Sequence, residues 1–342
     1  LAMMADMAGW PGVAEFARST TGIWALASLT NVAAFCTIAF GISIMARIQK
    51  VVFTVGMSGV VVMLGILTLH SKADFIAKWD ALAAQYGSLT YDELAPAVSA
   101  AAGAAIPSTW NWPDTIGMLV ACTYLFAYAY CITYVSGEVK KPEKAIIGGN
   151  LLAIVVPAIC LIWAGAVLYR TLDFEFISAA SWLDYNYELE GYTLPFTPSI
   201  LGLAHVLVPN VWVAVLMGVS YIVFCYWWCV LSYLAAPRVM FAWGMDRMGP
   251  NWFTSVNPRF ASPLKNYVVC FGLAQALITV YPFVGDAMQA YTVTGLEWLT
   301  VFGTTALAAL LLPYRKSVAT IWEASPYRGW RLGRLPLLTL AA

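Results

Sequence analysis

Apolar runs fall at about 21–46, 51–70, 115–137, 146–169, 208–236, 266–284 and 288–313, and a further one opens at Leu335. Each of the seven is near the roughly 20 residues a helix needs to cross a bilayer core. A span surrounded by lipid must satisfy its own backbone hydrogen bonds, so each run reads as a helix. The dyad alternation of a membrane β-barrel is absent. The chain therefore reads as an all-α integral membrane protein with about seven complete spans and a truncated one, a single transmembrane domain over residues 1–342. Composition agrees: 61% of residues are hydrophobic and 11% charged, against about 25% charged in soluble domains. A soluble enzyme could not hide so much apolar surface. The formal net charge of zero argues against a nucleic-acid partner.

Charge placement gives orientation. Fourteen of the 18 Lys and Arg residues fall on one side if the loop holding Lys140, Lys141 and Lys144 is inside; only Arg18, Lys72, Lys78 and Arg170 fall outside. This bias marks a cytoplasmic edge and predicts a multi-pass protein of the cell membrane. Asp173, Glu175, Asp184, Glu188 and Glu190 share one outer loop and read as a solvated face. Two outer loops are long, Ser71–Asp114 and Thr171–Val208. The first reads as a short helix plus coil. In the second, Pro195 and Pro198 predict a break before a short surface helix. Both loops read as lids or as plain connections.

Isolated polar residues inside the runs have limited roles. Asn31, Thr54, Asn150, Ser220, Ser232 and Gln275 read as hydrogen-bonding to neighbouring helices. Gly56, Gly59 and Gly65 read as close helix contacts. Trp227 and Trp228 read as helix packing or as cavity lining. His70 and His205 sit at span ends and read as interface markers. None of the seven cysteines forms a CxxC pair, so neither a metal site nor a disulfide framework is suggested, and no cofactor is implied. Cys225 and Cys229 read as packing residues. Glu297 is the one acidic residue well inside a run. Ionisable groups at depth are costly and mark function by default. Glu297 reads either as a coupling or gating group or as a carboxyl hydrogen-bonded to Tyr291 or Thr294 near the outer surface.

The third run is unusual. Its middle, Phe126 to Tyr130, alternates aromatic and small residues where a lipid-facing helix would carry leucine. It ends abruptly in GEVKKPEKA, residues 137–145. Two later inner segments also stand out: PRVMFAWGMDRMGPNWFTSVNPRFASPLKN at 237–266 and LLPYRKSVATIWEASPYRGWRLGRLPLL at 311–338.

Together these three segments resemble the amino acid–polyamine–organocation (APC) superfamily of permeases. The matching residues are Glu138, Val139, Lys140 and Pro142, then Arg238, Asp246, Pro250, Pro258, Arg259, Phe260 and Pro263, then Arg315 and Pro326. The resemblance implies a LeuT-like five-helix inverted repeat around a midplane site, with a discontinuous sixth helix. It also implies that this chain is a fragment, covering roughly family spans four to eleven and lacking the first three spans and the C-terminal end. Counting back from Gly137 puts the unwound turn near Phe126–Thr133. Bared peptide groups there must bind a substrate or a neighbour, and aromatic rings beside them stack on a side chain. The implied substrate-binding residues are Tyr124, Phe126, Ala127, Tyr128, Tyr130 and Cys131; Tyr124 and Tyr128 share one helix face. Many relatives carry glycine or an acidic residue in this turn. The Tyr128-Ala129-Tyr130 found here implies a small or slim substrate. A Ser220 or Ser232 hydroxyl in the eighth span is where sodium-using members place half of an ion site.

The implied activity is secondary transport of amino acids or related small amines by alternating access, by proton coupling or exchange. The implied partners are that small molecule and the lipid bilayer, and a homodimer is compatible with this reading. A receptor with a transporter-like fold is the alternative. A membrane-embedded enzyme would need clustered His, Asp or Glu inside the spans, and a channel a polar stripe or charged ring.

Overall fold

A computed structural model describes residues 1–103, 105–106, 112–113, 115–116, 126, 128–139, 141–186, 188–260, 262–289, 294–325, 328–333 and 335–341. It divides into two compact units: Leu1–Thr115 with Ala129–Phe283, and Ile116–Tyr128 with Val284–Ala342.

The larger unit contains the membrane-spanning scaffold. Two short helices, α1 (Ala2–Met7) and α2 (Pro11–Arg18), precede α3 (Thr20–Ala39) and α4 (Ile42–Leu69). Then come α5 (Lys72–Tyr86), α6 (Tyr91–Ala102), a 3-10 segment (Tyr128–Glu138), α7 (Pro142–Thr171), α8 (Phe174–Asn186), α9 (Ile200–Leu207), α10 (Val211–Met245) and α11 (Leu264–Gln289). Among the described residues, five helices are long and apolar enough to cross a membrane: Thr20–Ala39, Ile42–Leu69, Lys144–Thr171, Val211–Met245 and Leu264–Tyr281. Each overlaps a run read from the sequence, but the 21–46 run is broken at Phe40–Gly41, and its last residues, with Arg47 and Lys50, belong to α4. The runs 115–137 and 288–313 include residues outside the description.

Helix α10 has 35 residues, about 50 Å at 1.5 Å per residue. That exceeds a hydrocarbon core of about 30 Å, so the helix continues past the membrane. Pro237 marks the point where its apolar run ends.

The ends of these helices gather at two opposite poles. At one, the C-terminal ends of α4 and α7 and the start of α10 meet the loop helices α5, α6, α8 and α9 in one apolar core that includes Leu67, Phe75, Trp79, Leu94, Phe176, Leu203 and Met217. At the other, the Ala39–Gly41 turn meets the connection between α10 and α11. There Ser262 Oγ donates to Ala39 O at 3.3 Å, and the Phe40 and Phe260 rings meet edge-on at 5.5 Å. The charge bias assigns the first pole as outer and the second as inner.

The outer loops hold more structure than expected. Ser71-x-x-Asp74 and Thr90-x-x-Glu93 each form a capping box that starts a helix. These reciprocal side-chain bonds satisfy orphan backbone donors. Gly87 and Gly103 end the same helices in left-handed backbone, both with φ of 64°. Among the described residues the first loop thus holds α5 and α6, and the second contains α8 as well as α9. Helix α9 begins after Pro198 as expected, but it is buried over Gly202–Leu207 and does not lie on the surface. Its mean composition explains this: ILGLAHVL has no charged side chain to present to water.

In the smaller unit, α12 (Thr294–Leu311) packs with α14 (Leu337–Ala341), and α13 (Ala319–Ala324) lies between them in sequence. Strands β1 (Arg331–Leu332) and β2 (Leu335–Pro336) pair antiparallel, with Arg331 opposite Pro336 and Leu332 opposite Leu335. The run expected from Leu335 therefore begins as strand and turns helical at Leu337.

Candidate functional site

The described part of the third run is where helical geometry changes. Residues Tyr128–Glu138 follow a 3-10 path for 11 residues. Runs beyond about three or four are uncommon, because i→i+3 bonds are strained and side chains eclipse. Inside a membrane, backbone that departs from the α-helix persists only where protein or a cavity covers it. Here protein covers it in part. Cys131 is buried, and Val135 packs against the cluster of Ala34, Ile38, Met45, Val230, Tyr233, Leu234 and Tyr267 from α3, α4, α10 and α11.

The expected site residues are distributed unevenly. Tyr124 and Ala127 lie outside the described residues, as do the side chains of Tyr128, Tyr130, Glu138 and Glu297. Phe126 and Tyr128 belong to the smaller unit, and Tyr130 and Cys131 to the larger. Of the six, Cys131 is the one whose side chain is placed in the core of the larger unit.

Beside this segment, a polar seam joins three spans. Asn31 Nδ2 donates to Gln275 Oε1 at 3.1 Å, and Gln275 Nε2 donates to Ser28 Oγ at 2.7 Å. The Tyr233 hydroxyl donates to Asn31 Oδ1, and Thr37 hydrogen-bonds the Tyr226 hydroxyl. Trp24 Nε1 reaches Thr279 Oγ1 at 3.3 Å. Helices α3, α10 and α11 are thus fixed in register by bonds that lipid cannot replace. The readings of Asn31 and Gln275 as interhelical residues hold. Thr54 and Ser232 instead bond back to their own helices, at Lys50 O and Trp228 O. Among the described residues Asn150 Oδ1 is buried without a partner. Trp227 packs against the cluster just named, whereas Trp228 is exposed.

Helices α4 and α10 approach closely. A Cβ built on Gly56 would lie 2.5 Å from the Phe224 ring, and one on Gly59 would overlap Ser220. The Ser220 hydroxyl donates to Gly56 O. Gly65 differs from its expected role: a Cβ there meets nothing within 4 Å. Gly56 and Gly59 lie one turn apart on the side that meets α10, whereas Gly65, six residues past Gly59, points about 240° round the helix. Cys225 also departs from expectation, being exposed while Cys229 is half-buried.

A cavity of about 940 Å³ opens at the outer end of this helix pair, lined by Met3, Gly59, Met63, Ser220, Tyr221 and Phe224 among others. Thr197 Oγ1, on the same lining, is buried without a hydrogen-bond partner among the described residues.

Above that cavity the outer helices lock together. The Asp173 carboxylate takes Lys72 Nζ at 2.6 Å on both oxygens and the Tyr91 hydroxyl at 3.3 Å, while Asp173 N donates to that hydroxyl at 3.0 Å. Burial pushes the Tyr91 phenol up to about 12, so it stays protonated. The Tyr91 and Phe176 rings stack at 4.3 Å. Arg170 caps the end of α4, donating to Leu67 O at 3.0 Å and His70 O at 3.1 Å, and also to Thr68 O. Asp173 is therefore a fastening group and not simply part of a solvated acidic face. His205 is corrected too: it is buried against Phe196, with Nδ1 unpartnered among the described residues. Desolvation holds its imidazole below the usual histidine range.

The inner motif residues act as terminators. Pro142 begins α7, Asp246 ends α10, and Pro250 precedes a 3-10 turn at Asn251–Thr254. Lys140 lies outside the described residues. Lys141 and Arg247 are the two non-glycine residues with positive φ, 54° and 58°. Arg238 donates to Leu234 O and to the Tyr267 hydroxyl, both at 3.1 Å. Asn266, which no sequence signal singled out, is buried here. Its Nδ2 donates to Pro237 O at 3.2 Å and to Phe253 O at 2.9 Å.

A family model described as amino acid permease matches residues 3–341. No curated protein and no solved structure matches the chain.

Proposed function

Because the chain belongs to the amino acid permease family, we propose that it is a secondary transporter that moves an amino acid or a related small amine by alternating access. The observation that carries the reading is the 3-10 backbone of Tyr128–Glu138 inside an apolar run. A membrane protein maintains such backbone where its amides and carbonyls serve a solute or a neighbouring helix. In a LeuT-like inverted repeat this segment is the interrupted sixth span, and Tyr130 and Cys131 are its residues at the solute. The α3–α10–α11 seam is the rigid part against which the segment moves, because its polar bonds fix three spans together. The outer cavity of about 940 Å³ supplies a vestibule. Glu297 carries the coupled proton, and the protein works in the cell membrane with the Lys140–Lys144 loop inside.

Reconstitution of the purified protein into liposomes tests this reading. A panel of labelled amino acids is offered with and without a pH gradient. Saturable accumulation of at least one, enhanced by an inward proton gradient, is expected. Glu297→Gln abolishes the pH dependence and spares exchange. Absence of accumulation for every amino acid and amine overturns the proposal, and unchanged pH dependence in Glu297→Gln removes that residue from coupling.

A further inference from the structure

The connection between α10 and α11 folds against the start of α11 and leaves a groove of about 630 Å³. Trp252, Val268 and Val269 supply apolar lining, Ser255 and Asn257 supply polar atoms, and Lys265 is the one charged lining residue. Val268 and Val269 are 51% and 37% exposed. They belong to a stretch, Leu264–Tyr281, that is long and apolar enough to cross the membrane. Exposed valines on such a span face acyl chains, while Lys265 at its first turn sits at headgroup depth. Among the described residues Lys265 has no hydrogen-bond or ion-pair partner. The surrounding segment 237–266 carries Arg238, Arg247, Arg259 and Lys265 against Asp246 alone.

We propose that this groove binds one anionic phospholipid of the inner leaflet. Its phosphodiester lies at Lys265, with Ser255 and Asn257 in reach of the headgroup, and its first acyl chain lies along Val268 and Val269. Charge complementarity selects the occupant. A local excess of cations attracts an anionic headgroup and repels the ammonium of a zwitterionic one, and basic pockets at the cytoplasmic ends of spans suit anionic lipids for this reason. The apolar lining has no use for a soluble phosphate compound, which brings no acyl chain. The proposal is independent of transport, since it concerns a surface on the inner connection.

Native mass spectrometry of the full chain in detergent, titrated with phosphatidylglycerol or phosphatidylcholine, tests it. The anionic lipid is expected to bind several-fold more tightly. Lys265→Ala weakens it about fivefold, the contribution of one basic residue near an anionic surface, and leaves phosphatidylcholine unchanged. Lys265→Arg retains binding. Val269→Trp fills the groove and weakens binding with the charge intact, while Lys50→Ala, on the same side of the membrane, has no effect. Equal affinity of Lys265→Ala and the parent for phosphatidylglycerol overturns the proposal. So does full binding by Val269→Trp, or displacement of the lipid by glycerol phosphate at the same concentration.

Discussion

Replacing Gly59 by alanine perturbs the α4–α10 contact at its closest point. The added methyl overlaps Ser220 and lies 3.3 Å from Leu216 O. The nearest atom is Ser220 Cβ, which no side-chain rotation moves, so the helices must separate. Overpacking of this kind costs about 1–3 kcal/mol. Moving Ser220 also breaks its bond to Gly56 O, worth about 1 kcal/mol more. The expected total is about 2–4 kcal/mol. Ser220→Gly alone loses that bond and adds a helical glycine, costing about 2 kcal/mol. The double variant has no Ser220 side chain for the new methyl to strike. The clash disappears and the shared bond is lost only once, so the double variant should be about 2–4 kcal/mol more stable than the sum of the singles predicts. Equilibrium unfolding in mixed detergent micelles measures all three. Gly65→Ala is the control: with open space around it, it should be neutral or stabilising by up to about 1 kcal/mol. Strict additivity in the double variant, or equal damage from Gly59→Ala and Gly65→Ala, would refute the packing argument.

Two other predictions concern the poles. Asn266→Ala leaves Pro237 O and Phe253 O without their amide donor; a loss of about 2–4 kcal/mol is expected, together with faster proteolysis within 246–263, and wild-type protease resistance would count against the anchoring role. At the outer pole, desolvation lowers the His205 pKa, so below about pH 6.5 the unfolded chain binds a proton that the folded imidazole does not. Stability of the outer helices is therefore constant above that pH and falls as pH drops toward the folded-state value. His205→Phe should flatten this slope in hydrogen exchange across Ile200–Leu207, and an unaltered slope would assign the effect to another group.

The spans were legible because length and hydrophobicity alone specify a membrane helix: the runs at 21–46, 51–70, 146–169, 208–236 and 266–284 all reappear as helices. Asn31 and Gln275 were legible for the same reason, since a buried amide in lipid has to find a partner. The outer helices carried readable signals in Ser71-x-x-Asp74 and Thr90-x-x-Glu93, but hydropathy gives no weight to capping residues. Helical spacing puts Gly65 on a different face from Gly56 and Gly59, but hydropathy alone does not tell which face meets α10. His205 was misjudged because the helix that carries it packs on α4, α5 and α10 and its ring meets Phe196, contacts that hydropathy along the chain does not reveal. Positive φ at Lys141 and Arg247 had no local signal, as both positions carry side chains that disfavour it. The pocket residues Tyr124 to Cys131 rest on aromatic composition and on the family resemblance.

The central claim is that peptide groups of Tyr128–Glu138 engage the transported solute. Peptide-resolved hydrogen exchange of the purified protein, with and without a saturating amino acid that it transports, tests this directly. Exchange over residues 128–138 should slow at least tenfold in the presence of that amino acid, with little change across α5 and α6. Identical exchange in this segment under both conditions would contradict the account.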